Sequence, residues 1–456
     1  MRGLAAIRGR PLAAGEAARK LVHASMGVFA LALPFLLWWQ AALCALAAFL
    51  HNWLVLPRVV GHRMRSAREG ASDRGVLLYP VVVGALILVF WRDLSLAALG
   101  WGLLAGGDAA AGVAGMKWGR RRLPWNPRKT WAGLVGAFLG ALVGGEVLYL
   151  AFLTRVFTVP LSSTEVGPVW TWLVAAGAVA ALVFALVEGA PLAVDDNLLA
   201  PSLGALAFFS LSVGGGGLEA WRGALPETLV VALAVNGGCA LLAAWKRVLS
   251  PAGIAGAYLL GGVTWVFGGV RLWLVLFLFL AAGTAVTRVG WRKKVALGIA
   301  EGHGGQRGLG NVAAKGVVVF AAALLMPFAE AWVLRAMAVA ALAAALADTA
   351  GSEVGKAFSR RAYNLPRLQP VAAGTPGALS AVGTLASAAA AAGLVGLAAA
   401  LALVEWRTAV VCGICGFAAA LVEGRFSRDV GHDAVNLTLT LVAAALAGGL
   451  LVMMGR

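Results

Sequence analysis

Apolar runs longer than any soluble core can bury recur from one end of this chain to the other. Leu21–Trp39, Leu134–Phe152 and Ala378–Val404 are three of them. Each supplies the roughly 20 helical residues that cross a bilayer's hydrocarbon core. Of the 456 residues 61% are hydrophobic and 12% charged, against about 45–50% and 25% in soluble domains. Lipid is the only solvent that accommodates such an excess. The 60 glycines also suit helices that approach closely inside a membrane. The predicted fold class is all-α, a polytopic transmembrane helical bundle of about fifteen spans.

A net charge of +17 would fit a nucleic-acid partner if the cations formed a patch. They sit instead in short loops between apolar runs, which excludes nucleic acid and points to the bilayer itself. With the N-terminus in the cytoplasm, roughly 30 of the 37 Lys and Arg fall on the cytoplasmic side, as the positive-inside rule requires. Arg155, Arg222 and Arg271 are among the few left on the other face. The expected location is therefore an integral membrane protein, of the kind found in a bacterial inner membrane. Residues 1–20 bear arginines, and no small-residue cleavage site follows, so no signal peptide is read there. Cys412 and Cys415 have CxxC spacing but no second pair, and helix packing is the expected role.

A polar stretch after Gly214–Gly217 divides the chain into lobes 1–215 and 216–456, and a parallel internal repeat relates them. In the first lobe a span ends at Gly107-Asp108-Ala-Ala-Ala, followed by a basic loop with Lys117, Arg128 and Lys129. In the second a span ends at Ala347-Asp348-Thr-Ala-Gly, followed by Lys356, Arg360 and Arg361. Downstream, Glu188 precedes Asp195-Asp196-Asn197, and Glu423 precedes Asp433-Ala-Val-Asn436. The separation from Asp108 to Glu188 is 80 residues and from Asp348 to Glu423 is 75.

Carboxylates at span ends are costly unless hydrated or paired, so they are functional candidates. Here Asp108, Glu188, Asp195 and Asp196 recur as Asp348, Glu423 and Asp433, each set beside a cationic loop. Carboxylates that hold Mg²⁺ next to cations that neutralise phosphate suit a nucleoside triphosphate site. Near the N-terminus Arg19, Lys20 and His23 share a helical face with Glu16, where either a phosphate contact or interfacial snorkelling would place them. The loop 301–311 holds five glycines and Arg307; it can present N–H groups to phosphate or serve as a connector. No P-loop and no soluble-kinase motif accompanies them.

Glu16-x-x-Arg-Lys-x-x-His23, Gly75-Val-Leu-Leu-Tyr-Pro80, Gly107-Asp108, Leu123-Pro-Trp-Asn-Pro-Arg-Lys-Thr-Trp-Ala-Gly133 and Glu188-Gly-Ala-Pro191 resemble the dolichol kinase/phytol kinase family over residues 12–215. Ala109 departs from the Thr usual in relatives. Over residues 228–455, Ser250-Pro-Ala-Gly253, Glu301-Gly-His-Gly-Gly-Gln-Arg307, Ala347-Asp-Thr-Ala-Gly-Ser-Glu353 and Gly374-Thr-Pro-Gly377 resemble a related membrane family that includes plant phytyl-phosphate kinases. Lys315 and Glu423 depart from it, standing where Asn and Asp are expected.

The resemblance implies a bifunctional enzyme. One lobe would phosphorylate an isoprenoid alcohol, with CTP as donor, and the other would convert the monophosphate to a diphosphate. Asp108, Asp195, Asp196, Asp348 and Asp433 would hold Mg²⁺, and Lys117, Arg128, Lys129, Arg307 and Lys356 the phosphates. Two alternatives stay open: a phosphatidate cytidylyltransferase-like synthase, which Pro127-Arg-Lys-Thr-Trp-Ala-Gly133 echoes, and a non-enzymatic transporter. Prenol length and oligomeric state also stay open.

Overall fold

The computed structural model describes residues 25–55, 74–156, 167–192, 195–214, 218–299, 306–328, 331–359, 361–364, 369–371, 375, 378–426 and 431–455. Their internal contacts form two compact units that meet near Ser212 and Val213 in sequence.

In the first unit a short 3₁₀ segment, Gly27–Phe35, leads into α1 (Trp38–Leu50), α2 (Arg74–Val89), α3 (Leu94–Trp118), α4 (Trp131–Val156), α5 (Gly167–Glu188) and α6 (Asp196–Gly214). Asp93 starts α3 by accepting from the Ser95 backbone N–H at 3.0 Å, an N-cap that satisfies one orphan donor. Small residues then set the packing. Gly102 and Gly106 of α3 face Gly144 and Gly140 of α4 so closely that a Cβ at any of the four would collide with the opposite backbone. Further along, Ala110 lies against Gly136. This spacing of four is the small-residue seam that lets membrane helices touch backbone to backbone.

That seam also corrects one boundary. The span expected to end around Gly107–Gly115 runs on as helix to Trp118. Asp108 therefore lies about 15 Å inside the helix end at 1.5 Å per residue. Alanines 109–111 are strong helix formers, and α4 packs against this stretch, so nothing here ends the helix.

The second unit comprises α7 (Leu218–Trp245), α8 (Pro251–Arg288), α9 (Trp291–Ala296), α10 (Leu309–Leu325), α11 (Ala331–Phe358), α12 (Ala381–Ala400), α13 (Trp406–Phe426) and α14 (His432–Met453). Ser250 caps α8 by accepting from Gly253 N at 3.1 Å, with Pro251 at the first helical position. The 38 residues of α8 do not form one rod. Gly269 adopts φ 82°, ψ 163°, a backbone state that glycine alone visits freely, and the chain folds back there. Trp265 and Trp273, four residues either side, pack edge to face at 4.9 Å. Arg307 then touches both ends of the hairpin, its carbonyl beside Gly253 and its guanidinium beside Gly283.

α11 forms the centre of this unit, with 89% of its apolar window buried, whereas α7 has 11% buried and lies at the periphery. Cys412 and Cys415 are buried on α13, with the Cys412 thiol 3.3 Å from the Ala336 carbonyl of α11. Between α11 and α12 a small antiparallel sheet, β1 (Ala362–Asn364), β2 (Gln369–Val371) and β3 (Ala378–Leu379), runs in the order β2-β1-β3. It adds three short strands to an otherwise all-α fold.

Among the described residues eight helices are long and apolar enough to cross a bilayer, fewer than the fifteen spans expected. Part of the difference is the α8 hairpin, which counts as one helix but carries two legs. Three further apolar segments, Leu77–Val89, Leu309–Leu325 and Trp406–Leu421, are shorter.

Candidate active site

In the first unit the polar centre is built where α3, α5, α6 and the 119–130 loop meet. The loop folds as a tight hairpin: Leu123 N–H donates to the Lys129 carbonyl at 3.1 Å, and Lys129 N–H to the Asn126 carbonyl at 3.0 Å. Its tip is fastened to the end of α5. Asn126 Nδ2 donates to the carbonyls of Gly189 and Ala190 at 3.2 and 3.1 Å, and Trp125 Nε1 donates to the Gly189 carbonyl at 3.2 Å. Thr130 then caps α4, its hydroxyl accepting from Gly133 N at 3.0 Å. These anchors hold the loop that carries Lys129 against the end of α5.

Its ammonium lies 2.5 Å from Glu188 Oε1 and 2.6 Å from Asp196 Oδ2. Asp108, buried on α3, is the neighbour of Gly107, which sits against Phe184, one turn before Glu188. Its charge is felt by both Glu188 and Asp195. Lys129 thus pairs with two carboxylates, and Asp108 and Asp195 lie within electrostatic reach of that pair. Burial opposes the charge on Lys129, but Glu188 and Asp196 more than offset it and hold its pKa above the ordinary lysine range. Burial, then the adjacent Asp196 charge, pushes the Asp195 carboxyl up.

Glu188 Oε2 and Asn197 Oδ1 are buried without a hydrogen-bond partner. Among the described residues no three His, Cys, Asp or Glu side chains already converge as a metal cage. Mg²⁺ does not require one, because it binds through one or two carboxylates and takes its remaining ligands from phosphate and water. The orphaned acceptors and the clustered carboxylates fit it.

The second unit carries a longer polar column. Lys315 on α10 donates to Thr349 Oγ1 at 2.8 Å and pairs with Asp348 Oδ2 at 3.7 Å. Lys294, fully buried, reaches Glu353 Oε2 at 2.6 Å and the Thr287 carbonyl at 2.7 Å. Lys356 takes the other Glu353 oxygen at 2.8 Å. The buried Arg307 guanidinium contacts Thr287 Oγ1 at 3.4 Å. Asp433, in the first turn of α14, sits against Gly310. One turn on, Asn436 is fully buried with both side-chain polar atoms unpartnered, as Asn197 is in part.

The sequence profile of the family described as integral membrane protein DUF92 matches residues 234–426. An uncharacterized membrane protein of Synechocystis is 34% identical over 244 residues, covering 51% of this chain and 95% of that protein. The chain belongs to the DUF92 family of integral membrane proteins. Probable phytol kinase 2 of Glycine max is 28% identical over 203 residues, covering 42% of this chain and 64% of that protein. Protein VTE6 of Arabidopsis thaliana is 36% identical over 143 residues, covering 30% and 43%. The chain thus spans less than two thirds of either plant protein. No solved structure matches.

The DUF92 match contains Lys294, Arg307, Lys315, Asp348 and Glu353, the whole polar column of α8 to α11. Of the residues singled out from sequence, Asp108, Lys129, Glu188, Asp195 and Asp196 come together, whereas Asp348 meets Lys315, Lys356 pairs with Glu353 and Arg307 contacts Thr287. Lys117 and Arg128 are exposed; Lys117 lies 5.1 Å over the Trp118 ring rather than at the carboxylates. Arg19, Lys20 and His23 lie outside the described residues, as does the side chain of Glu423. Asn126, Lys294 and Thr349 were not singled out. Asn126 was legible as part of the Pro-Trp-Asn-Pro motif, and Lys294 was one more cation in a basic loop.

Proposed function

We propose that this chain is a membrane kinase that phosphorylates an isoprenoid alcohol in the first unit and the resulting monophosphate in the second, with CTP as donor. The observation that carries the reading is Lys129 clasped between Glu188 and Asp196, beside Asp108 and Asp195. Phosphoryl transfer asks a protein for positioning and charge neutralisation more than covalent chemistry, and this cluster supplies both signs of charge. The names of the plant relatives point the same way.

In the first step the prenol oxygen attacks the γ-phosphorus, the bond to the β-phosphate oxygen breaks, and CDP leaves. The hydroxyl proton would pass to a carboxylate, Glu188 or Asp195. Lys129 would turn from its carboxylates to the triphosphate. Mg²⁺ would be held by Asp108 with Asp195 or Asp196, and by Asp348 with Asp433 in the second unit, where it would neutralise phosphate charge.

The second step differs in a way that matches the second unit. A phosphate oxygen needs no base, but bringing two anionic phosphates together needs more positive charge. Lys294, Lys315 and Arg307 are all buried there.

The test uses full-length protein in detergent, prenols of several lengths, and CTP labelled at the γ- or the α-phosphorus. Transfer of γ-label first to a monophosphate and then to a diphosphate is expected. Incorporation of α-label instead would identify a cytidylyltransferase, and no transfer would leave a non-enzymatic carrier. Labelling of engineered cysteines in the 119–130 loop should succeed only from the cytoplasmic side.

A further inference from the structure

The carboxylates of the first unit's site gather toward the end of α3 that leads into the 119–130 loop. Glu146 lies elsewhere. It stands on α4 about 12 Å from the Thr154 end of its span at the helical rise, and both of its carboxyl oxygens are buried without a hydrogen-bond partner. α5 makes room for it with a glycine: Oε1 occupies the place that a Cβ on Gly177 would need. Ionisable groups held inside a bilayer are costly and mark functional sites.

Among the described residues no cation is placed to balance it. Between Gly167 and Val187 α5 has no titratable side chain, and neither has the Gly27–Phe35 segment. α3 has none from Leu94 to Gly107; Asp108 follows, and Lys117 stands near its far end. α6, which meets α4 through Phe208 against Tyr149 at 4.8 Å, has only Asp196, in its first turn. On α4 itself Arg155 comes about 13 Å further along at the helical rise, and Arg92, just before α3, lies over the Trp91 ring. Taking an ionised carboxylate out of water without a partner costs far more than taking out the neutral acid.

A polar file connects this carboxyl to the surface. Asp93, exposed at the start of α3, accepts from Ser95 Oγ at 2.5 Å. Ser95 and Tyr149 are both buried, and the Tyr149 hydroxyl lies beside Ser95, within electrostatic reach of Asp93 and Glu146. Tyr149 follows Glu146 by one turn of the same helix, so the two side chains are neighbours. The file stops at Glu146. Toward Asp108 the two helices meet as the glycine seam, Gly102 and Gly106 against Gly144 and Gly140, with no titratable side chain to carry it on.

We propose that Glu146 is a proton-binding site: a neutral carboxylic acid inside the bilayer that exchanges its proton, along Tyr149, Ser95 and Asp93, with water at the end of α3 away from the 119–130 loop. The ligand is the proton itself, and each one taken up is balanced by one returned to water. The assignment stands apart from the kinase reading and survives its failure.

Infrared spectroscopy of full-length protein in lipid nanodiscs reads that proton through the C=O stretch that a carboxyl shows only when protonated. The difference spectrum between wild type and Glu146→Gln should contain this band near neutral pH, and the band should shift promptly in D2O. Glu146→Gln keeps the shape of a neutral acid, so Tm should be unchanged. Tyr149→Phe and Ser95→Ala cut the file at successive steps; each should keep the band and lose its prompt shift. Absence of the band from the difference spectrum overturns the site. A large fall in Tm for Glu146→Gln does the same, because it would reveal an ionised carboxylate with a partner. Prompt exchange in both file variants overturns the route.

Discussion

The ammonium of Lys129 lies 2.5 Å from the carboxylate of Glu188, a residue 59 positions away in sequence. Asn126 makes that contact possible by tying the loop to the two carbonyls that follow Glu188. On the proposed kinase reading, substrate would have to part this lysine from this carboxylate before either could serve it.

Replacing Lys129 by Met should lower kcat for prenol phosphorylation about 100-fold or more, the cost of losing a group aimed at transition-state charge. Lys129→Arg should retain part of the rate. The stability linkage has a definite sign. A cation whose folded pKa is raised contributes stability below its unfolded value and loses it as pH rises through the folded one. The gap in Tm between wild type and Lys129→Met should stay constant from about pH 6 to 9 and close only above the ordinary lysine range near 10.4. A gap that closes by pH 8 would contradict the clasp.

Asp108→Asn should abolish use of free prenol but spare conversion of supplied monophosphate. Asp348→Asn should do the reverse, so that monophosphate accumulates. Each unit has its own carboxylate and its own cations, and thin-layer chromatography of labelled products separates the two outcomes. Loss of both reactions with either variant would mean one composite site.

Lys294→Met removes one partner of an ion pair enclosed in protein and leaves Glu353 with Lys356 alone. Breaking a buried pair costs up to about 3–5 kcal/mol when the remaining charge is left alone, and Lys356, still on Glu353, should hold the loss below that. Thermal unfolding should show it, and the double variant Lys294→Met, Glu353→Gln should recover much of the loss.

Gly140→Leu should prevent stable folding of the first unit, since the added side chain has only the Gly106 backbone to occupy. Gly393→Leu, on α12, meets no neighbour within 4 Å and should fold normally. Detergent-extracted yield and gel filtration distinguish them.

Much of this was legible before any coordinates. Apolar runs announced the membrane, and Asp108, Glu188 and Asp196 stood out as a candidate cluster, because costly residues in a costly solvent carry their own signal. Other features were hidden for physical reasons. Asp108 looked like a span end because glycine and alanine do not say whether a helix stops or packs; the seam with α4 decides it. Lys294 stands in sequence beside Arg292 and Lys293 with nothing to set it apart, since burial depends on what folds over it. The pocket lined by α7, α8 and α10 could not be read at all. A void is a property of three helices at once and leaves no periodicity in any of them.

The glycine seam of α3 and α4 has a further consequence. Helices locked backbone to backbone cannot slide or rotate without collision, so Asp108 rides on the stiffest part of its unit. Lys129 rides on a hairpin held by a few hydrogen bonds to carbonyls. If the proposed kinase reading holds, motion during turnover would be carried by the loop against a stationary aspartate: the carboxylate would serve as anvil, and the lysine would travel with the phosphate.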